Sequence, residues 1–319
     1  MKILVRPTLG ALLVSAVLAM PTGLFAYSVE NVNVIEANDF VVEPAKIEIF
    51  ADPGETVRRN VTIINRVAGR SEFTIALEDF VGSDDPTVAV KLLGNEISRY
   101  SFRDNIEPEV SELSLSFGEK AIIPITIRIP ATAAPGGYYT SVVIAHMPQE
   151  KGGDVTGART VSRVAQLLFV RVNGDVEESG QVKEFIVTPT TPVHVKGPLG
   201  FNILFENTGN VHLAPYGYIT IKNIFGGIVS QVPIDAYYSL PQSERYREVL
   251  WKPPFLFGYY TATLELNRGY RDAEMIDTLS ASFLYLPFTY IIVLLLIIAL
   301  ILFAKRFIGN RFEVRRKKL

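Results

Sequence analysis

Residues 122–129, Ile122-Ile123-Pro124-Ile125-Thr126-Ile127-Arg128-Ile129, decide the fold class. Ile123, Ile125, Ile127 and Ile129 fall on every second position, with Pro124, Thr126 and Arg128 between them. Successive strand side chains point to opposite faces, so a period of two predicts a strand buried on one face and wet on the other. Phe73, Ile75 and Leu77 alternate in the same way with Thr74, Ala76 and Glu78. Similar runs at Val42–Phe50, Val57–Asn65, Tyr138–Met147, Val161–Val172, Gly200–Glu206, Tyr216–Ile221, Ile228–Ile234 and Tyr259–Leu266 predict further strands. Asp52-Pro53-Gly54-Glu55 and Asn207-Thr208-Gly209-Asn210 punctuate them as turns. Many short strands with turns about every ten residues predict an all-β chain of immunoglobulin-like sandwiches. Cysteine is absent, so the sandwiches carry no disulfide and must be held by their cores.

A repeat sets the domain count at two. Gly137-Tyr138-Tyr139-Thr140 recurs as Gly258-Tyr259-Tyr260-Thr261, each opening an alternating strand. Upstream, Phe117-Gly118-Glu119-Lys120 corresponds to Pro241-Gln242-Ser243-Glu244, and the strand ending at Asn65 to the one ending at Asn207. The expected organisation is a first sandwich over 27–176, with a polar insertion at about 82–112, and a second over 177–282. The acidic, apolar-poor stretch from Asn173 to Gly180 predicts a hinge between them. The glycine-rich Gln149–Ala158 reads as a hairpin loop inside the first sandwich.

Both ends of the chain concern the membrane. Lys2 and Arg6, the apolar run Leu9–Met20 and the small residues up to Ala26 predict a signal peptide over 1–26. Phe283–Ala304 carries no charge and predicts one spanning helix over 283–304, since a span needs about 20 apolar residues. The tail at 305–319 holds seven Lys and Arg against Glu313, which places it in the cytoplasm and everything between leader and helix outside. The chain's net charge of −2 hides this basic tail, so the exported part is acidic. An acidic ectodomain excludes nucleic acid as a partner, because phosphates need clustered Lys and Arg, and argues against lying flat on an anionic membrane.

Candidate chemistry is sparse. His146, His194 and His212 have no spacing that brings two onto one metal, so no metal or cofactor is expected. Asp84-Asp85 and the pair Glu107 with Glu109 read as solvated loop charges rather than a glycosidase pair. Trp251 reads as a core or joint residue. Tyr138, Tyr139, Tyr259 and Tyr260 are the ligand-facing candidates, since aromatic faces pack on sugar C–H groups, although one of each pair is expected in the core. Leu286-Pro287-Phe288-Thr289-Tyr290 approaches a sortase signal but has Tyr290 in place of its glycine. Pro287 then starts the helix, with Tyr285 and Tyr290 in the interfacial belt.

The motifs Val42-Glu43-Pro44, Pro53-Gly54-Glu55 and Pro135-Gly136-Gly137-Tyr138, ahead of a second β module, one helix and a basic tail, resemble the WxL-interacting proteins of Gram-positive surfaces. The resemblance implies a first module associated with peptidoglycan and a second that binds surface partners carrying a Trp-x-Leu motif. The resulting expectation is a non-enzymatic, single-pass surface protein that binds cell-wall polymer or a surface protein through sandwich faces and edge strands. Two alternatives stand beside it: a pilus-chaperone-like assembly protein, with Arg58 and Arg59 as its basic cleft, and a wall-acting hydrolase.

Overall fold

The structure is a computed structural model that describes residues 27–147, 161–191, 193–253, 256–271 and 274–311; the leader, the 149–158 loop and the end of the tail lie outside the described residues. In chain order the first eleven strands are β1 (Ser28–Asn31), β2 (Phe40–Glu43), β3 (Lys46–Ala51), β4 (Thr56–Asn65), β5 (Arg70–Val81), β6 (Lys91–Leu92), β7 (Ile106–Pro108), β8 (Glu112–Ser116), β9 (Glu119–Arg128), β10 (Gly136–Met147) and β11 (Ser162–Val172). They form a sheet in the order β1-β9-β4-β2, with β7 also on β9, and a second in the order β3-β11-β10-β5-β6, with β8 also on β5. The isoleucines of the deciding stretch lie on β9, and Ile123, Ile125 and Ile127 are fully buried against Ile49, Phe73, Val142 and Leu168 of the facing sheet. Burying an Ile contributes roughly 1.5–3 kcal/mol, so this row is a main support of the first core.

The remaining strands are β12 (Gly180–Thr188), β13 (Val193–His194), β14 (Leu199–Asn207), β15 (Tyr216–Asn223), β16 (Ile228–Ile234), β17 (Ser243–Trp251), β18 (Gly258–Asn267) and β19 (Ile276–Tyr285), followed by helix α1 (Phe288–Arg311). The sheet β12-β14-β17 faces β13-β19-β18-β15-β16 across a second core that includes Phe201, Ile203, Ile219, Leu264 and Trp251. The protein is thus mostly β and sandwich-like. Val42–Phe50, expected as one strand, is two: it breaks at the cis Glu43-Pro44 bond, leaving β2 in one sheet and β3 in the other. β12 and β13 repeat that crossover around Thr188-Pro189.

The two halves share buried polar anchors as well as strand order. Asn65 and Asn207, both fully buried, end β4 and β14. Asn65 donates to the Leu115 carbonyl at 3.0 Å and accepts the Val67 N–H at 2.9 Å. Asn207 donates to the Val211 and Ser239 carbonyls at 2.9 and 2.8 Å and accepts the Gly209 N–H at 3.0 Å. An amide that bonds its own backbone two residues on is what lets Asn close such a turn. The loops before β9 and β17 also correspond, with Gly118 (φ 77°) and Gln242 (φ 54°) both left-handed.

The Tyr repeat is displaced by one residue. Gly136 pairs with Val172 at the end of β11, and Gly258 with Tyr285 at the end of β19, so Gly136 and not Gly137 is the counterpart of Gly258. Tyr138 therefore corresponds to Tyr260, both turned to their own cores, while Tyr139 faces the other way.

The expected span is also corrected at its start. Phe283 and Tyr285 alternate with Leu284 as the last inward residues of β19, and helix α1 starts at Phe288. Among the described residues no helix is long and apolar enough to cross a membrane. Taken with Thr289 and Ile291, whose side chains lie outside the description, α1 runs 24 residues and is free of charge from Phe288 to Ala304.

Candidate functional site

The expected hinge is pinned. Arg171, 8% exposed, meets Glu178 at 2.7 Å, and Glu178 also accepts the Arg271 N–H at 3.1 Å. Asn210 accepts the Glu177 N–H through its side chain and the Gly137 N–H through its carbonyl, both at 2.9 Å. Beside these, Phe80, Tyr139, Phe169 and Leu240 form a third apolar cluster joining the two halves. The polar insertion adds to the joint: the Pro86 carbonyl accepts the Tyr246 N–H at 2.8 Å, and Gly82 packs so closely on Ser243 that a Cβ there would lie 2.2 Å from the serine Cβ.

At the centre of the joint is a chain that the sequence did not reveal. The His212 N–H donates to the Tyr139 hydroxyl at 2.7 Å, and that hydroxyl can donate in turn to His212 Nδ1 at 3.3 Å. Nδ1 is then the acceptor, so Nε2 carries the proton given to Glu48 Oε1 at 2.7 Å. The hydrogen bond from His212, aided by Lys46, holds the Glu48 carboxyl down at about 2 against the opposing effect of burial. Burial pushes the Tyr139 phenol far above its ordinary value, so it stays protonated. Lys46 also sits 5.2 Å from the Phe169 ring and 5.9 Å from the Tyr238 ring. No short motif links Glu48, Tyr139 and His212, which come from three strands or loops far apart in sequence.

The ligand-facing candidates separate accordingly. Tyr139 is fully buried in the joint, and Tyr260 is buried and stacked on Phe283 at 5.7 Å, so neither can meet a ligand. Tyr138 is half-buried, with its ring 4.9 Å from Phe102 and its hydroxyl donating to the Ala134 carbonyl at 2.9 Å. Tyr259 alone is freely exposed. Trp251 packs in the second core, as expected of a core residue. His146 lies against Phe73 and His194 against Phe283, and burial lowers the pKa of each. Arg58 and Arg59 are exposed near the start of β4, where Arg58 pairs with Glu109 and Arg59 donates to the Arg58 carbonyl. Glu107 pairs with Arg128 at 2.6 Å, and Asp84 with Lys91 at 3.1 Å.

The strongest candidate site is an open strand edge on the second half. In the first half β3 runs parallel to β11 and pairs with Leu167–Val172. Its counterpart β13 pairs with only Leu284 and Tyr285 of β19. On that side Ile276–Phe283 has no strand pairing among the described residues; β12 closes on its start, where the Val182 N–H donates to the Asp277 carboxylate at 2.9 Å, and Ala281–Phe283 is left facing a groove. A groove of about 410 Å³ lies along this edge, floored by Phe185, Val187, Ala281 and Phe283 and rimmed by Thr190, Thr191 and His194. Unpaired backbone groups beside an apolar floor can pair with an added strand and seat its alternate side chains.

No protein-family model and no curated protein matches the sequence. Among solved structures, the class 5 fimbriae chaperone CfaA is 13% identical with a TM-score of 0.40, over 78% of this chain and all of that one. The CsuC-CsuE chaperone-tip adhesion subunit complex of Acinetobacter baumannii is 12% identical with a TM-score of 0.35, over 78% of this chain and 99% of that one. The CupB2 chaperone of Pseudomonas aeruginosa is 10% identical with a TM-score of 0.34, over 76% of this chain and all of that one.

Proposed function

We propose that the protein is a non-catalytic surface protein, anchored in the membrane by α1, whose two immunoglobulin-like sandwiches bind a cell-wall polymer or a surface protein. The observation that carries this reading is the apolar groove beside the unpaired Ala281–Phe283 edge of β19. It favours the protein partner. An extended segment running parallel to β19 would take the place that β3 takes on β11, where Ile47, Ile49 and Ala51 point inward. A partner segment with apolar residues at alternate positions fits the groove, and main-chain bonds supply its affinity. Anchoring rests on the full charge-free run of α1 with Lys305 and Arg306 behind it, which orients the tail inward. The pairing of Glu107 and Glu109 with Arg128 and Arg58 supports a surface role for these carboxylates.

The test uses the full chain in detergent micelles, presented in parallel to insoluble peptidoglycan and to solubilised surface proteins. Thr190→Arg, at the exposed rim, should abolish capture of a surface protein while leaving the fold intact. Capture by peptidoglycan alone, unaffected by Thr190→Arg, would move the site to the first half; no capture by either would end the binding reading.

A further inference from the structure

The strand order places four connections at the end of the second half from which α1 leaves. β19 ends there at Tyr285, paired with Gly258 at the start of β18. Tyr260 is paired with Asn223 at the end of β15, so the β15–β16 turn points the same way. The end of β17 at Trp251 and the start of β14 at Leu199 pair with each other, and β13 lies beside Leu284 and Tyr285, which brings the described residues of the connections before β14 and after β17 to that end too.

These connections combine exposed apolar tips with lysines and no acid. Phe225 is 90% exposed, Ile224 65% and Phe257 61%. A turn tip is ordinarily polar, and clustered apolar residues in water mark a contact surface. The tip is built to hold them out: Asn223 accepts the Phe225 and Gly227 N–H groups at 3.0 and 2.9 Å, and Gly226 takes a left-handed φ of 80°. Lys196, Lys222 and Lys252 are exposed around the same end, and its connecting segments contain no Asp or Glu. At the opposite end, the segment after β18 carries Arg268, Arg271 and Glu274 and joins the first half through Glu178 and Asn173.

From this we infer that the base of the second half is seated in the surface of the same bilayer that holds α1, with Phe225, Ile224 and Phe257 at the boundary of headgroups and acyl chains and the three lysines among the lipid phosphates. The inference rests on the membrane anchoring proposed above. Two lengths support it. Only Leu286 and Pro287 separate β19 from α1, a reach of about 7 Å, which is the depth of one headgroup layer. The charge-free part of α1, Phe288 to Ala304, rises about 25 Å against a hydrocarbon core of about 30 Å, which draws the base down rather than holding it clear. Lysines at that height lie within a Debye length of the phosphates. The acidic net charge of the exported part does not oppose this seating, because contact is end-on through the one end whose connections lack acids.

The absence of native cysteine allows single-site labelling of the full chain. Phe225→Cys, Leu296→Cys in α1 and Ile97→Cys in the first half, all at exposed positions, would each carry an environment-sensitive fluorophore. The chain is reconstituted in mixed phosphatidylcholine and phosphatidylglycerol vesicles, with nitroxide lipids and soluble iodide as quenchers. The expected result is blue-shifted emission, lipid quenching and iodide protection at positions 225 and 296, with position 97 behaving as in water. A buried label at 296 with a water-exposed label at 225 overturns the seating but leaves the anchor. A water-exposed label at 296 overturns the anchor and the seating together. Iodide protection at 225 without lipid quenching assigns the tip to a protein contact and also overturns the inference.

Discussion

The two halves repeat one plan and differ in what their equivalent positions face. In the first, six residues of β3 pair along the edge of β11; in the second, two residues of β13 leave most of β19 without a strand pair on that side and a groove beside Ala281–Phe283. In the first, the outward side of β10 is used up by the joint, where Tyr139 is buried; in the second, the outward side of β18 is free and Tyr259 is exposed. One plan can therefore supply both a closed module that makes the joint and an open one that keeps an edge and an end available. The difference arises in a few crossover residues rather than in the cores.

The largest test of this equivalence is at the buried asparagines. Asn207→Ala strands the Val211 carbonyl and removes second bonds from the Ser239 carbonyl, which keeps the Leu213 N–H, and from the Gly209 N–H, which keeps the Ser179 carbonyl; it should cost about 3 kcal/mol in urea denaturation of the full chain, because an unmet buried group costs roughly 1–3 kcal/mol and each further bond lost roughly 0.5–1.5 kcal/mol. Asn65→Ala strands one close carbonyl and one amide and should cost about 2 kcal/mol by the same reckoning. Equal costs would break the distinction between the two turns. Next, Tyr139→Phe should cost about 2 kcal/mol by leaving the His212 N–H unmet, whereas Tyr260→Phe should cost under about 1 kcal/mol because its bonds to Phe257 are long, at 3.2 and 3.3 Å.

The joint should also show in the pH dependence of stability. Glu48 ionises at about 2 in the folded chain against a reference of 4.5, so its contribution is full above pH 4.5 and is lost as pH falls from 4.5 towards 2. The stability gap between the native chain and Glu48→Gln should be constant near neutrality and close over that window. A gap that persists unchanged at pH 2 would falsify the Glu48–His212 link as an electrostatic one. The smallest effect is expected at Gln242, one of the left-handed pair. Gly118→Ala should cost about 1–2 kcal/mol, while Gln242→Gly should be nearly neutral, its relieved strain offset by the lost bonds to the Thr208 and Gly209 carbonyls. A large loss at Gln242→Gly would show that its side-chain bonds matter more than its backbone.

Alternation made much of the fold legible, because Ile123, Ile125 and Ile127 each face a core and cannot shift by one residue without turning outward. The loop correspondence of Gly118 with Gln242 was legible too, since flanking residues fixed its register. The Tyr repeat misled by one position because Gly136 and Gly137 are adjacent and either could match Gly258. The start of α1 was obscured where the apolar Phe283, Leu284 and Tyr285 of β19 run towards the apolar helix with no charge between them. The contacts of the 173–180 stretch were not legible, because the residues that pair with Glu178, Arg171 and Arg271, are not marked by any local pattern around it. The β19 groove could not be read at all: it depends on how few residues of β13 reach the edge, which no local pattern encodes.

The ten-residue pairing of β18 with β19 bears on how the molecule would carry load. Antiparallel hydrogen bonds lie across the strands. Tension entering through α1 pulls β19 along its own axis, so all ten pairs resist together in shear instead of opening one at a time. Under the anchoring proposed above, a strand joined to the helix by two residues would make the second half a stiff foot, with drag on the first half borne by a sheet before it reached the linker.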